Sequence, residues 1–312
     1  MPFQFEIKKN KDIEVIHLMD TALGVTIEIL SKGALLNKWY WNQDGQTHEF
    51  IVGNHIDTFV NFEQQGFRSA KMSPYVCRLF QGQYQHENTT YKMDHFYMGE
   101  HAIHGIMYDA NFDIEATDVN EHCTSVSLTH HYMASDKGYP FNYTMQIKWT
   151  LEKHNKIKVQ TKVINDAAIS IPLVDGWHPY FTLGETINNC TLQFVSKGKM
   201  EYDSDLLPTG KIIKESSFAK GLTLNDLQLD DGYELDTINN TCTLYNDQFI
   251  LTIDPSEAYP YLQLYTPPDR KSIAIENLSG APNAFNNKMG LQILKPHEYR
   301  IFETSYQVTK NN

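Results

Sequence analysis

The chain has 312 residues, 41% hydrophobic and 21% charged, enough apolar surface to offset the entropy of ordering that keeps polar chains disordered. Its 26 Lys and Arg stand against 38 Asp and Glu, a formal net charge of −12, which excludes nucleic acid and anionic membrane surfaces as expected partners. No stretch approaches the ~20 apolar residues of a membrane span, and MPFQFEIKKNKDIEVI lacks the features of a secretory signal, so a cytoplasmic protein is expected.

Apolar and polar residues alternate from early in the chain. Val25-Thr26-Ile27-Glu28-Ile29-Leu30 is the first clear run, and Asn42-Gln43-Asp44-Gly45 and His86-Glu87-Asn88 follow as turn clusters. Ser125 to Thr129 alternates again. Asp136-Lys137-Gly138 then marks a turn, and Tyr143 to Trp149 and Lys156 to Val163 are two further runs separated by the cluster from Glu152 to Asn155. Period-two alternation puts one face of an extended chain on a core and the other in water, which predicts half-buried antiparallel strands joined by hairpins.

Helical periodicity is scarce, and the best candidate is Ser216 to Leu227. Cys77, Cys123, Cys190 and Cys242 are far apart, form no C-x-x-C pair and read as reduced thiols. No linker, charge block or repeat divides the chain. The expected fold class is all-β: residues 1–312 as a single domain of antiparallel strands in two packed sheets, with few short helices and with loops at the sheet ends carrying function.

Three segments could carry chemistry. In His101-Ala102-Ile103-His104-Gly105 the histidine spacing suggests a metal pair, but no companion ligand completes a tetrahedral set, so no metal site is expected. In Val174-Asp175-Gly176-Trp177-His178-Pro179-Tyr180-Phe181 the imidazole of His178 lies among aromatics and before a proline that restricts its backbone. It reads equally as a proton donor near neutrality and as a core histidine satisfied by backbone. In Ser272-Ile273-Ala274-Ile275-Glu276-Asn277-Leu278-Ser279-Gly280, Glu276 interrupts an apolar run: either a solvated strand-end carboxylate or a desolvated general base. Nucleotide-binding glycine loops, G-x-S-x-G and H-E-x-x-H are missing, which leaves acid–base chemistry by His and Glu with no cofactor.

These segments, taken in order, resemble the aldose 1-epimerase (galactose mutarotase) family. Ser31-Lys32-Gly33-Ala34 is similar to an early strand motif, Cys77-Arg78-Leu79-Phe80-Gln81-Gly82 to Asn-Arg-Ile-x-x-Gly, and Ile103-His104-Gly105 to Leu-His-Gly. His178-Pro179-Tyr180-Phe181 resembles His-x-Tyr-Phe, Gln263-Leu264-Tyr265-Thr266 resembles Gln-x-Tyr-Thr, and Glu276 followed by Asn283-Ala284-Phe285-Asn286 matches a glutamate strand and its asparagine-rich turn. The resemblance implies a galactose mutarotase-like β-supersandwich with Glu276 as general base, His178 as general acid and His104 binding and polarising the sugar. Arg78, Tyr180 and Gln263 would line the site, with Asp230 on sugar hydroxyls and Asp231 as its alternative. Cys77 stands where the family usually has Asn, and Gly105 lacks the usual second Gly after it.

The implied reaction is interconversion of the anomers of a free aldose by a monomer or homodimer whose partner is a small sugar. Two alternatives stand beside it. One is a hexose-6-phosphate 1-epimerase, with Arg68 and Lys71 near the phosphate; the other is a carbohydrate-binding β-sandwich without catalysis.

Overall fold

The alternating segments pair with their neighbours in sequence, because a short polar turn brings two amphipathic strands together with their apolar faces on the same side. In the computed structural model, which describes residues 1–56 and 65–311, Leu36–Gln43 and Gln46–Glu49 close around Asp44-Gly45. Gln83–His86 and Thr89–Lys92 close around Glu87-Asn88. Tyr143–Glu152 and Lys156–Asn165 pair along their full length, from Glu152 opposite Lys156 to Tyr143 opposite Asn165. Lys156–Asn165 buries every second residue without exception.

The strands collect into two large sheets rather than one continuous pair of layers. A nine-stranded sheet is centred on Tyr143–Glu152, Lys156–Asn165 and the carboxy-terminal strand Tyr299–Lys310; an eight-stranded sheet carries Asp230–Leu235, Tyr261–Tyr265, Ile273–Leu278, Gly176–His178 and Ala70–Met72. A separate five-stranded sheet, Phe3 to Glu49, is an addition to the two-sheet expectation. The two large sheets meet through aromatic contacts, Trp149 with Trp177 at 5.3 Å and Phe181 with Tyr306 at 5.2 Å between ring centroids, and Tyr259, in the connection that precedes Tyr261–Tyr265, stacks on Phe302 at 5.6 Å.

Ser216 to Leu227 is not an α-helix. It holds a 3₁₀ turn at Ser217–Lys220 and a two-residue strand at Leu222–Thr223, split by Gly221 at φ +86°. Phe218 is the one buried residue of that turn, stacked on Phe194 at 4.9 Å, so no apolar stripe exists to hold a helix down. The α-helix found among the described residues is the single turn Ala284–Asn287, docked by its preceding Asn283, whose backbone N–H donates to the Arg78 carbonyl at 2.8 Å. All four cysteines are unpaired. No helix among the described residues is long and apolar enough to cross a membrane.

Candidate active site

Ile273–Leu278 is buried on both faces, which explains why its sequence is nearly continuous apolar. Asn277 faces the nine-stranded sheet, where its Oδ1 accepts from Thr304 Oγ1 at 3.0 Å, so Glu276, one residue earlier, points to the opposite face. Register then aligns its neighbours. Gln263 lies directly opposite Glu276 on one side and Gly232 on the other, and Asp230, two residues before Gly232, shares their face. Gly176–His178 joins the other edge of the glutamate strand through Gly176 opposite Leu278, which brings His178 alongside Glu276.

The opposite wall comes from two loops locked together by backbone. Cys77 and His104 both adopt left-handed φ, 47° and 60°, and the His104 N–H donates to the Cys77 carbonyl at 2.9 Å. Arg78 pairs with Ile103. Gly105 follows at φ +75°, where an added Cβ would lie 2.2 Å from the Ser73 carbonyl oxygen, so the glycine of Ile-His-Gly is a steric requirement.

Together these walls enclose a cavity of about 370 Å³, inside the range of small-molecule sites. Glu276, His178, His104, Arg78, Tyr180, Asp230 and Gln263 all line it. Glu276 is 2% exposed at its floor, with Oε1 3.2 Å from His178 Nε2 and Oε2 3.8 Å from the Cys77 thiol. His178 stacks on Tyr180 at 4.9 Å and meets His104 edge-on at 5.0 Å. His104 Nδ1 rests 3.1 Å from Met72 Sδ. Asp231 turns away and pairs with Lys199 Nζ at 2.6 Å, leaving Asp230 as the acid at the cavity wall.

Burial governs the proton affinities. It pushes the Glu276 carboxyl well above the usual carboxylate range, assisted by the nearby Asp230 charge, and pushes His178 down to about 4. Burial, with His178 and Arg78 close by, likewise holds His104 well below the ordinary imidazole value. Asp230 is raised by its enclosure, while Arg78 and Gln263 act to lower it.

Two sequence expectations change. Lys71 is fully buried, its Nζ 2.5 Å from Asp175 Oδ1 and 4.3 Å from the Trp177 ring centroid, so it belongs to the interior and not to a phosphate site. Arg68 donates to the Gly53 carbonyl at 3.0 Å and is not among the cavity-lining residues. His101 Nδ1 accepts from the Gln81 N–H at 3.1 Å. No group of three or more His, Cys, Asp or Glu positioned for a metal occurs among the described residues. Sequence reasoning missed Tyr202, Phe67, Tyr265 and Met98, which also line the cavity. Tyr202 carries no local signal, since its strand reaches the site only through tertiary pairing.

The molecule, with its stacked antiparallel sheets, has the galactose mutarotase-like β-supersandwich fold. Its backbone matches a galactose mutarotase-like protein from Clostridium acetobutylicum with a TM-score of 0.86, at 18% identity and over 99% of both chains. The chain belongs to the aldose 1-epimerase family, whose model matches residues 15–307, and is therefore an isomerase acting on carbohydrates. It is 27% identical to the uncharacterized protein YihR of Escherichia coli K12 over 75% of this chain and 77% of that one. It is 23% identical to a maltose epimerase of Levilactobacillus brevis over 78% of this chain and 71% of that one.

Proposed function

We propose that the protein interconverts the α and β anomers of a free aldose by acid–base ring opening and reclosure. The observation that carries this reading is the 3.2 Å contact between His178 Nε2 and Glu276 Oε1 inside a sugar-sized cavity. Opening a cyclic hemiacetal removes the proton of the C1 hydroxyl and adds one to the ring oxygen. Glu276 as carboxylate accepts the first and His178 as imidazolium supplies the second, each worth about 10²–10⁴-fold. Rotation about C1–C2 exposes the other face of the aldehyde, and reclosure returns both protons.

A carboxylate with an imidazolium holds the same number of protons as a carboxylic acid with an imidazole. Ring opening converts the first form into the second, and burial favours the second. Reclosure runs the two transfers backwards, the ring hydroxyl giving its proton to His178 and Glu276 giving its proton to the C1 oxygen, so the starting form is regenerated with no other reagent. His104, held neutral by burial, and Arg78 stabilise negative charge developing on oxygen. Tyr180, Gln263 and Asp230 orient the ring and its hydroxyls.

Among the described residues that line the cavity Arg78 is the one Lys or Arg, against Asp230 and Glu276, a balance that favours an uncharged sugar over a sugar phosphate. Polarimetry on freshly dissolved α-glucose and α-galactose tests the reading. Added protein accelerates the drift to the equilibrium rotation; an unchanged drift on every aldose reduces the protein to a sugar binder.

A further inference from the structure

Tyr202 ends the strand Ser196–Tyr202, whose pairing with Pro208–Ile213 slips in register between Met200 and Tyr202. Irregularities of this kind re-aim side chains beside active sites. Here the Tyr202 hydroxyl reaches across the neighbouring strand and donates to Gln263 Oε1 at 2.8 Å, and Gln263 Nε2 donates to Asp230 Oδ1 at 3.0 Å. The crossing is possible because residue 232 is glycine: a Cβ there would lie 2.3 Å from Tyr202 Oη and 2.9 Å from Gln263 Oε1.

The direction of each hydrogen bond in this chain is fixed. The Asp230 carboxylate only accepts, so the amide nitrogen of Gln263 must face it, and the amide oxygen then faces Tyr202, whose hydroxyl must donate. What remains for a ligand is the second N–H and the second Oε1 lone pair of Gln263, the second oxygen of Asp230 and a lone pair on Tyr202. All three side chains line the same cavity.

We propose that Tyr202 is a positioning residue that sets which aldoses the cavity selects, by locking the Gln263 amide and with it the pattern of donors and acceptors offered to the sugar hydroxyls. This rests on the reading of the cavity as an aldose site. A wall of fixed polarity rejects a hydroxyl of the wrong configuration because a buried polar group is then left unpaired; a wall whose amide can rotate accommodates both configurations.

Tyr202→Phe keeps the ring and removes only the hydroxyl. Mutarotation of glucose, galactose and their single-deoxy analogues is measured for wild type and variant. KM for the preferred aldose rises about 3- to 10-fold, kcat changes less, and the preference between aldoses shrinks by a similar factor. Gly232→Ala, which displaces the tyrosine, gives the same pattern, and the combined variant is no worse than either alone. If Tyr202→Phe keeps the wild-type KM and preference, or lowers kcat uniformly on every sugar, the inference is overturned while the aldose reading stands. If wild type turns over no aldose, both fall.

Discussion

Glu276 occupies a position where a strand buried on both faces would otherwise carry an apolar side chain, and that interruption is legible in Ile-Ala-Ile-Glu-Asn-Leu itself. What the residue pattern left open, a solvated strand end or a desolvated acid, is decided by its 2% exposure. The Glu276–His178 pair makes a prediction about pH. Acid inactivates by adding a second proton, and because burial holds His178 at about 4, kcat/KM should fall only below about pH 4–5 and not near the ordinary imidazole value. The alkaline limb reports loss of the shared proton. It lies well above the carboxylate range because burial raises Glu276. Among the described residues the Cys77 thiol is the donor that reaches Oε2, and a donor to a carboxylate favours its charged form. Cys77→Ala should move the alkaline limb up and Cys77→Ser, a stronger donor, should move it down, as read from kcat/KM against pH.

At the scale of elements, strands were legible wherever one face is core and the other solvent, as in Lys156–Asn165. Ser216 to Leu227 misled because its apolar residues Phe218, Leu222, Leu224 and Leu227 pack on the core from a 3₁₀ turn and a short strand broken at Gly221, not from one face of a helix. Tyr202 was illegible for a related reason: its position in the site follows from a register slip between Ser196–Tyr202 and Pro208–Ile213, and register is a property of two segments at once. The loop elements are more exacting than the strands. Gly105→Ala places a methyl group against the Ser73 carbonyl at a left-handed φ, so it should cost more than about 1 kcal/mol and lower activity by shifting His104. Thermal melting and kcat together check both parts.

At the scale of the molecule, the interior between the two large sheets is not purely apolar. Lys71 and Asp175 form a fully buried ion pair there, with Tyr259 donating to Asp175 Oδ1 at 2.7 Å and Lys71 over the Trp177 ring. Burial pulls the Lys71 ammonium down to about 8 and raises Asp175, as expected for charges removed from water. The sugar-phosphate alternative set Lys71 beside Arg78, but proximity in the chain says nothing about which face of Ala70–Met72 a side chain takes. Lys71→Met, which strands a buried carboxylate, should destabilise by about 3–5 kcal/mol in denaturant unfolding, and Lys71→Met with Asp175→Leu should recover most of the loss. The pair tethers Ala70–Met72 to the segment that leads into His178, so the same sheet packing that makes the fold also holds the imidazole against the carboxyl. The most direct test of that arrangement is the rate of anomer exchange, followed by magnetisation transfer between the α and β signals of an aldose. Glu276→Gln, which preserves shape and removes the base, should lower the rate about 10²–10⁴-fold; exchange at the wild-type rate would contradict the account.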